Sequence, residues 1–169
     1  MDPIWDVLMR HLEARADYFR LFDRHRSRPD AWLKVEALYA LSQVPDGLVR
    51  SARADRQGCD VWFGTADGEG WLATKGLITS YAGAGRDARP TIASVEEISR
   101  ELDKLRGLAT LSGGTPMLLL TAFAFGPEPR ERNEWQSQLL RFEAKGFTPV
   151  RKQSVELRPE RECRVYLFA

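Results

Sequence analysis

Residues 115–125, TPMLLLTAFAF, carry the strongest structural signal in the chain. The run is apolar almost throughout and has no turn residue at its centre, a pattern typical of a β-strand that is covered on both faces. Strands of this kind occur in sheets with helices on both sides, so the stretch predicts an α/β domain. At eleven residues the run is far shorter than the ~20 residues that a membrane-spanning helix needs.

A helix is predicted directly before this strand. It begins with Ser-Val-Glu-Glu at residues 94–97, the form of a capping box, in which the serine and glutamate side chains accept hydrogen bonds from free backbone amides. Apolar residues then recur at helical spacing as far as Gly107, which indicates the end of the helix. Residues 71–81 upstream read as a strand. A strand–helix–strand connection is right-handed and makes strands 71–81 and 115–125 parallel neighbours.

The remaining segments complete a mixed β-sheet flanked by helices. The other predicted elements are helices 3–22 and 29–44, strands 48–54 and 59–64, a helix around Trp135, and strands 150–157 and 163–169. At 169 residues the chain has the length of one domain. We divide it into an N-terminal helix (1–28), a core (29–125) and a C-terminal helix with two strands (126–169).

Composition and charge exclude several classes of protein. Apolar residues make up 43% and charged residues 29% of the chain, which is typical of a folded globular domain. The net charge of +1 excludes a strongly basic surface but leaves room for a local basic patch. Two cysteines and two histidines do not have the spacing of a zinc site, and we expect both thiols to be buried and reduced. The N-terminus has no basic region before an apolar stretch, so we expect a cytoplasmic protein without a membrane segment.

Three charged side chains lie inside otherwise apolar segments. Glu36 lies in the middle of the second helix, Asp60 begins a strand, and Lys75 follows Ala73 by two residues. Residues two apart in a strand share a face, so Lys75 and Ala73 project together. Because charges in apolar surroundings are costly unless they are paired or used, we expect the three groups to converge at one end of the sheet.

This pattern resembles the PD-(D/E)XK nuclease-like superfamily, which has a restriction-endonuclease-like fold. The resemblance rests on Glu36 in WLKVEALYAL, Asp60 in GCDVWFG and Lys75 in WLATK, followed by a helix and an apolar strand. The core order of the family, α-β-β-β-α-β, fits the stretch from about residue 30 to residue 125. The resemblance implies a Mg²⁺- or Mn²⁺-dependent hydrolase in which Glu36 and Asp60 bind the metal ion and Lys75 orients or activates the attacking water.

Ala73 departs from the family pattern, which has Asp or Glu at this position. Alanine has no ligand atom, so the resemblance implies a hydrolase that is inactive or impaired. Three explanations are open: a natural non-catalytic member, a carboxylate supplied from elsewhere by Glu69 or Asp67, or a deliberate inactivating substitution of a glutamate.

Each of the three charged residues also has a structural interpretation. Asp60 can simply end a turn, and Lys75 can extend from a sheet edge with its apolar stem on the surface. Glu36 can lie on a solvated helix face, paired with Lys34 or Arg50. The sequence leaves these interpretations open beside the catalytic one.

Two basic segments are candidates for contact with nucleic-acid phosphates. The first is the junction between the first two helices, which contains Arg20, Arg24, His25, Arg26 and Arg28. The second is the loop after the hairpin, with Arg86 and Arg89. We predict phosphate contacts by Arg26, Arg28, Arg86 and Arg89, which would position nucleic acid without reading its sequence. A solvated charge run is the alternative, and the small net charge favours it.

The sequence therefore predicts a nuclease-like domain that acts on or binds nucleic acid, with metal-dependent phosphodiester hydrolysis if the site is active. The alternative belongs to another class: a non-catalytic protein-binding module, such as an inhibitor or a complex subunit, that keeps the nuclease fold. That alternative implies a protein partner or a homodimer.

Overall fold

The computed structural model of the chain describes residues 2–45, 47–79, 92–127 and 129–169. These residues form five helices and six strands, which confirms the predicted α/β class. In chain order, the elements are α1 (Asp2–Glu13), α2 (Ala16–His25), α3 (Asp30–Ser42), β1 (Ser51–Ala54), β2 (Val61–Gly64), β3 (Glu69–Ile78), α4 (Ile92–Ser112), β4 (Thr115–Phe125), α5 (Pro129–Ala144), β5 (Pro149–Arg158) and β6 (Arg161–Phe168).

The six strands form one mixed sheet in the order β1-β2-β3-β4-β6-β5. Its centre is the pair β3 and β4, which run parallel from Gly70 opposite Thr115 to Ile78 opposite Phe123. The predicted parallel pairing is therefore confirmed. Helix α4, which connects these two strands, packs against both of them. The other neighbouring strands are antiparallel.

Helices cover the two faces of the sheet with separate apolar clusters. Helices α1, α2 and α3 pack on one face, where β4 contributes Met117 and Leu119. Helices α4 and α5 pack on the other face, where β4 contributes Leu118 and Leu120. All four side chains are fully buried, which explains why the sequence of this strand is apolar without alternation.

Two predicted helices have wrong boundaries. The single helix expected at 3–22 is divided at residues 14 and 15, and its two parts pack differently, α1 mainly against α3 and α2 mainly against β5. Helix α4 begins at Ile92, so Ser94 lies inside its first turn and not at the N-cap position of a capping box. It also continues past Gly107 to Ser112, since Leu105 and Ala109 keep its buried face apolar.

Candidate functional site

Asp60 lies directly before the first residue of β2, at the sheet edge where the pairing of β2 with β3 stops. The last residue pair of β2 and β3 is Val61 with Leu72, so β3 beyond this point has no strand partner on that side among the described residues. The Oδ2 atom of Asp60 accepts hydrogen bonds from the backbone N–H of Thr74, at 2.7 Å, and from its hydroxyl, at 3.2 Å. The carboxylate therefore replaces the missing strand as the acceptor for β3.

Two side chains from the junction of α2 and α3 continue this edge. The Oδ1 atom of Asp30 accepts the backbone N–H of Gly76, and Arg28 Nε donates to the Gly76 carbonyl at 3.0 Å. Arg28 also forms ion pairs with Asp30 and Glu97, at 3.5 and 3.6 Å. A Cβ atom on Gly76 would overlap the ring of Pro29, so only glycine permits this close approach. These contacts favour a structural role for Arg28 over the predicted phosphate contact.

Glu36 points from α3 toward the first two helices. Its Oε2 atom lies 2.5 Å from His11 Nε2 and accepts a hydrogen bond from Arg15 Nε at 3.3 Å. The partners suggested by the sequence are not the ones observed, because Lys34 instead binds Asp55 at 2.8 Å. That hydrogen bond raises the pKa of Lys34. Glu36 thus joins α3 to the N-terminal helices through a half-buried ionic contact.

Lys75 lies on the face of the sheet opposite to α3. Its neighbours two residues away, Ala73 and Leu77, belong to the apolar cluster beneath α4 and α5. The Thr74 side chain points the other way, and its hydroxyl donates to the Asp30 carbonyl at the start of α3. The Cβ position of Gly76 is on this same side, against Pro29. The predicted shared face of Ala73 and Lys75 is therefore observed, but Lys75 and the Glu36-bearing helix lie on different sides of the sheet.

The residues at these positions do not fit the carboxylate set that the resemblance implies for Mg²⁺ or Mn²⁺. In both Glu36 and Asp60, one carboxylate oxygen forms two hydrogen bonds with protein groups, and Ala73 provides no ligand atom. Within the described chain there is no group of three or more His, Cys, Asp or Glu side chains placed to hold a metal ion. The assignment of catalytic roles to Glu36, Asp60 and Lys75 stays a prediction.

The suggested substitutes for the lost carboxylate lie at the far end of the hairpin. Glu69 begins β3, four residues before Ala73, which corresponds to about 13 Å along a strand. Asp67 lies in the turn between β2 and β3, where its N–H donates to Thr65 Oγ1 at 3.2 Å. Neither position brings a carboxylate next to Ala73.

A basic cleft lies between the C-terminal half of α2 and the turn that joins β5 to β6. Its volume is about 380 Å³, and its charged lining residues are Arg20, Asp23, Arg24, Arg26, Arg158 and Arg161. We call this site the arginine cleft. Five arginines and one aspartate concentrate positive charge here in a protein whose net charge is only +1. Such a cleft attracts anions more strongly than the net charge suggests.

Ion pairs fix two arginines of the arginine cleft. Arg161 donates to Asp23 Oδ1 at 2.6 Å, and both side chains are largely buried, so this pair ties the β5–β6 turn to α2. Arg20 pairs with Asp17 at 2.6 Å on the exposed surface. Such an exposed pair contributes little to stability and exchanges readily for another anion.

The other three arginines of the cleft, Arg24, Arg26 and Arg158, are exposed and have no ion-pair partner among the described residues. Arg26 caps the C-terminus of α2 in the left-handed region, with φ 49° and ψ 39°, where glycine is usual. A non-glycine residue there costs roughly 1–2 kcal/mol, so backbone geometry does not explain the arginine. Its guanidinium is free to bind an anion.

Sequence reasoning found only part of this cleft. Arg26 was expected to contact phosphates, and Arg20 and Arg24 belong to the same basic junction. Arg158 and Arg161 were missed because they are more than 130 residues away in the chain, and only the packing of α2 against β5 brings them close. The turn signal Arg158-Pro159-Glu160 places Arg158 and Arg161 near each other, but no signal in the sequence places them near α2. Arg86 and Arg89 lie outside the described residues.

Both cysteines are free and buried, as predicted. Burial raises the pKa of the Cys59 thiol from 9.0 to about 11 and also raises the pKa of the Cys163 thiol. Thiols in such surroundings are mostly protonated and inert, so neither is placed to act as a nucleophile.

We therefore expect iodoacetamide to modify both thiols at least about 100-fold more slowly in the folded protein than in guanidinium chloride at about pH 8. Because the folded Cys59 thiol ionises at higher pH than the unfolded one, its contribution to stability is complete below pH 9.0 and is lost as the pH rises toward 11. Mass spectrometry of the alkylated chain and alkaline urea titrations measure the two effects. Rapid alkylation of the folded protein would show that a thiol is accessible.

Comparison with known proteins provides no further information on the function of these residues. None of the helices in the described part of the chain is long and apolar enough to cross a membrane. No family model, no curated protein and no solved structure matches the chain.

Proposed function

We propose that this chain binds the phosphodiester backbone of nucleic acid through the arginine cleft. The observation that carries the proposal is the convergence of Arg24, Arg26 and Arg158 on one cleft without ion-pair partners in the described structure. A guanidinium offers five donors in a planar fork that matches two phosphate oxygens, and it stays charged at any physiological pH. Contacts of this kind hold the backbone irrespective of base sequence.

The extent of the cleft favours a chain of phosphates over a single small anion. Arg20 and Arg24 are one helical turn apart on the same side of α2, which separates their Cα atoms by about 6 Å along the axis. Arg158 approaches from a different element across the opening. Three free guanidiniums carry more N–H donors than the oxygens of one phosphate accept, which favours successive phosphates of a nucleic acid as the ligand.

The nuclease-like architecture is part of this proposal. The order α3-β1-β2-β3-α4-β4 and the parallel pairing of β3 with β4 support it, because they match the α-β-β-β-α-β core of the PD-(D/E)XK superfamily. Hydrolysis is not part of it. The carboxylates of Glu36 and Asp60 hold protein groups together, and Ala73 supplies no ligand, so we assign the domain to binding without cleavage.

The test is a comparison of two triple variants. Replacing Arg24, Arg26 and Arg158 by alanine removes the free donors of the cleft, and we expect binding of a labelled oligonucleotide to weaken roughly tenfold or more at low salt. The slope of log K against log salt should fall by about 0.7–0.9 for each phosphate that the variant no longer neutralises. Fluorescence anisotropy between about 50 and 200 mM salt measures both quantities.

A matched control removes the same charge elsewhere. Arg10, Arg50 and Arg53 are exposed on α1 and around β1 and do not line the cleft, and their triple alanine variant should bind nearly as well as the unchanged protein. If both triple variants lost the same affinity for the oligonucleotide, the loss would come from the lower net charge and not from the cleft, which would contradict the proposal. The absence of any binding by the unchanged protein at low salt would contradict it as well.

A further inference from the structure

A stacked pair of aromatic rings lies on α2 and α3, with Tyr18 exposed and Trp32 partly buried. The rings of Tyr18 and Trp32 are nearly parallel, with an interplanar angle of 16° and centroids 5.5 Å apart. Trp32 is held from other directions by Phe19 and Phe22, whose ring centroids lie 5.2 and 5.3 Å from its own. The Trp32 ring is therefore held in place, and the Tyr18 ring stacks on it.

Tyr18 is the exposed member of this pair. The residue is 48% exposed while one face of its ring lies on Trp32, which leaves the opposite face as the one that a ligand can stack on. Leu21, one turn further along α2, is 47% exposed and extends the apolar surface. An open aromatic face on a rigid support is the arrangement that stacks a nucleobase, since every base has a flat π-surface.

This aromatic surface is continuous with the arginine cleft. At 100° per residue, Leu21 lies between Tyr18 and Arg24 around the axis of α2. Tyr18 and Arg24 are six residues apart, which is about 9 Å along the helix and about 120° around it. Because the two side chains diverge, the path from the ring to the guanidinium over Leu21 is longer than the axial distance, and several nucleotides of an unstacked strand span it. A base on Tyr18 and phosphates in the cleft thus belong to one short stretch of a strand.

We infer that the preferred ligand of the arginine cleft is single-stranded nucleic acid, with one base stacked on Tyr18. The inference rests on the proposed function and specifies its substrate class. In a duplex both faces of each base are covered by neighbouring bases, so the ring of Tyr18 has no base face to contact. In a single strand a base turns outward and stacks on an aromatic side chain while its phosphates stay near the arginines.

The experiment measures the affinity of a labelled strand of about 16 nucleotides, single and as a duplex, by fluorescence anisotropy. We expect Tyr18→Ala to weaken single-strand binding roughly 5- to 100-fold and to leave duplex binding and the salt slope nearly unchanged, since no charge is removed. Tyr18→Phe keeps the ring and should bind like the unchanged protein. Tyr39→Ala is the matched control, because Tyr39 is 51% exposed on α3 and lies against His11, away from the cleft.

The outcomes separate this inference from the proposed function. If the arginine variant loses affinity while Tyr18→Ala binds the single strand normally, the cleft binds phosphates but the stacking inference is wrong. Equal losses on both strand forms with Tyr18→Ala would also overturn it. If neither strand form binds and the chain instead forms a dimer that Tyr18→Ala dissociates, this face is a protein interface, and both the inference and the proposed function fail.

Discussion

A glutamate at position 73 is expected to lower the free energy of unfolding by at least about 3 kcal/mol. Ala73 is fully buried in β3, opposite Leu118 of β4, and its methyl group belongs to the cluster beneath α4 and α5. A carboxylate here exceeds the available space and loses its water, and the nearest cation on this face, Lys75, is two residues away, about 7 Å along the strand. The same substitution would restore the family motif, so its effect distinguishes a packed core position from a vacant ligand position.

Urea denaturation of the Ala73→Glu variant, with and without Mg²⁺, measures this effect. We expect a large loss of stability that Mg²⁺ does not reverse, because Asp60 and Glu36 are engaged elsewhere and the residues present do not form a metal site. Ala73→Gln has nearly the same shape without the charge, and its loss should be smaller. A stable Ala73→Glu protein whose unfolding midpoint rises with Mg²⁺ would establish position 73 as a metal-ligand position.

The sequence was most informative where local pattern and burial agree. The apolar run at 115–125 predicted β4 with its observed bounds, because a strand covered on both faces needs apolar residues at every position. The crossover rule then gave the parallel pairing of β3 with β4. The break between α1 and α2 could not be predicted in this way, since it depends on which distant elements the two helices contact.

The candidate site was predicted less well because it depends on long-range placement. The two-residue period correctly put Ala73 and Lys75 on one face of β3, but it does not say which face α3 covers. Asp60 accepts the N–H of Thr74 because β2 begins only at Val61, opposite Leu72, and so leaves this N–H without a strand partner. Charges inside apolar segments suggested catalysis, and the structure gives two of them, Asp60 and Glu36, contacts that hold elements together.

Helix α2 links the fold to the proposed function. One side of the helix carries Arg20 and Arg24 toward the arginine cleft, and another carries Tyr18. The third side holds the helix on the sheet through Phe19, whose side chain is fully buried. Phe19 is therefore the fully buried apolar anchor of α2, and it positions both proposed binding surfaces together with the Arg161–Asp23 ion pair.

Replacing that anchor, Phe19→Ala, should lower the free energy of unfolding by about 3–5 kcal/mol. The ring of Phe19 packs edge-on against Trp32 at 5.2 Å and lies 5.8 Å from Phe123 of β4, so its loss leaves a cavity between α2, α3 and the sheet. Urea denaturation followed by circular dichroism measures the change. We also expect weaker oligonucleotide binding, because the arginines of α2 lose their fixed position relative to Arg158.

The adjacent residue provides the control for this prediction. Tyr18→Ala removes a ring of similar size from the exposed side of α2, and its effect on stability should stay below about 1.5 kcal/mol, the value of one stacked aromatic pair. The two neighbouring variants then separate the functions of the helix: Phe19→Ala mainly lowers stability, and Tyr18→Ala mainly lowers single-strand affinity. Similar stability losses in both would contradict the assignment of Phe19 as the anchor, because stability would then depend on the exposed stack as much as on the buried contact with β4.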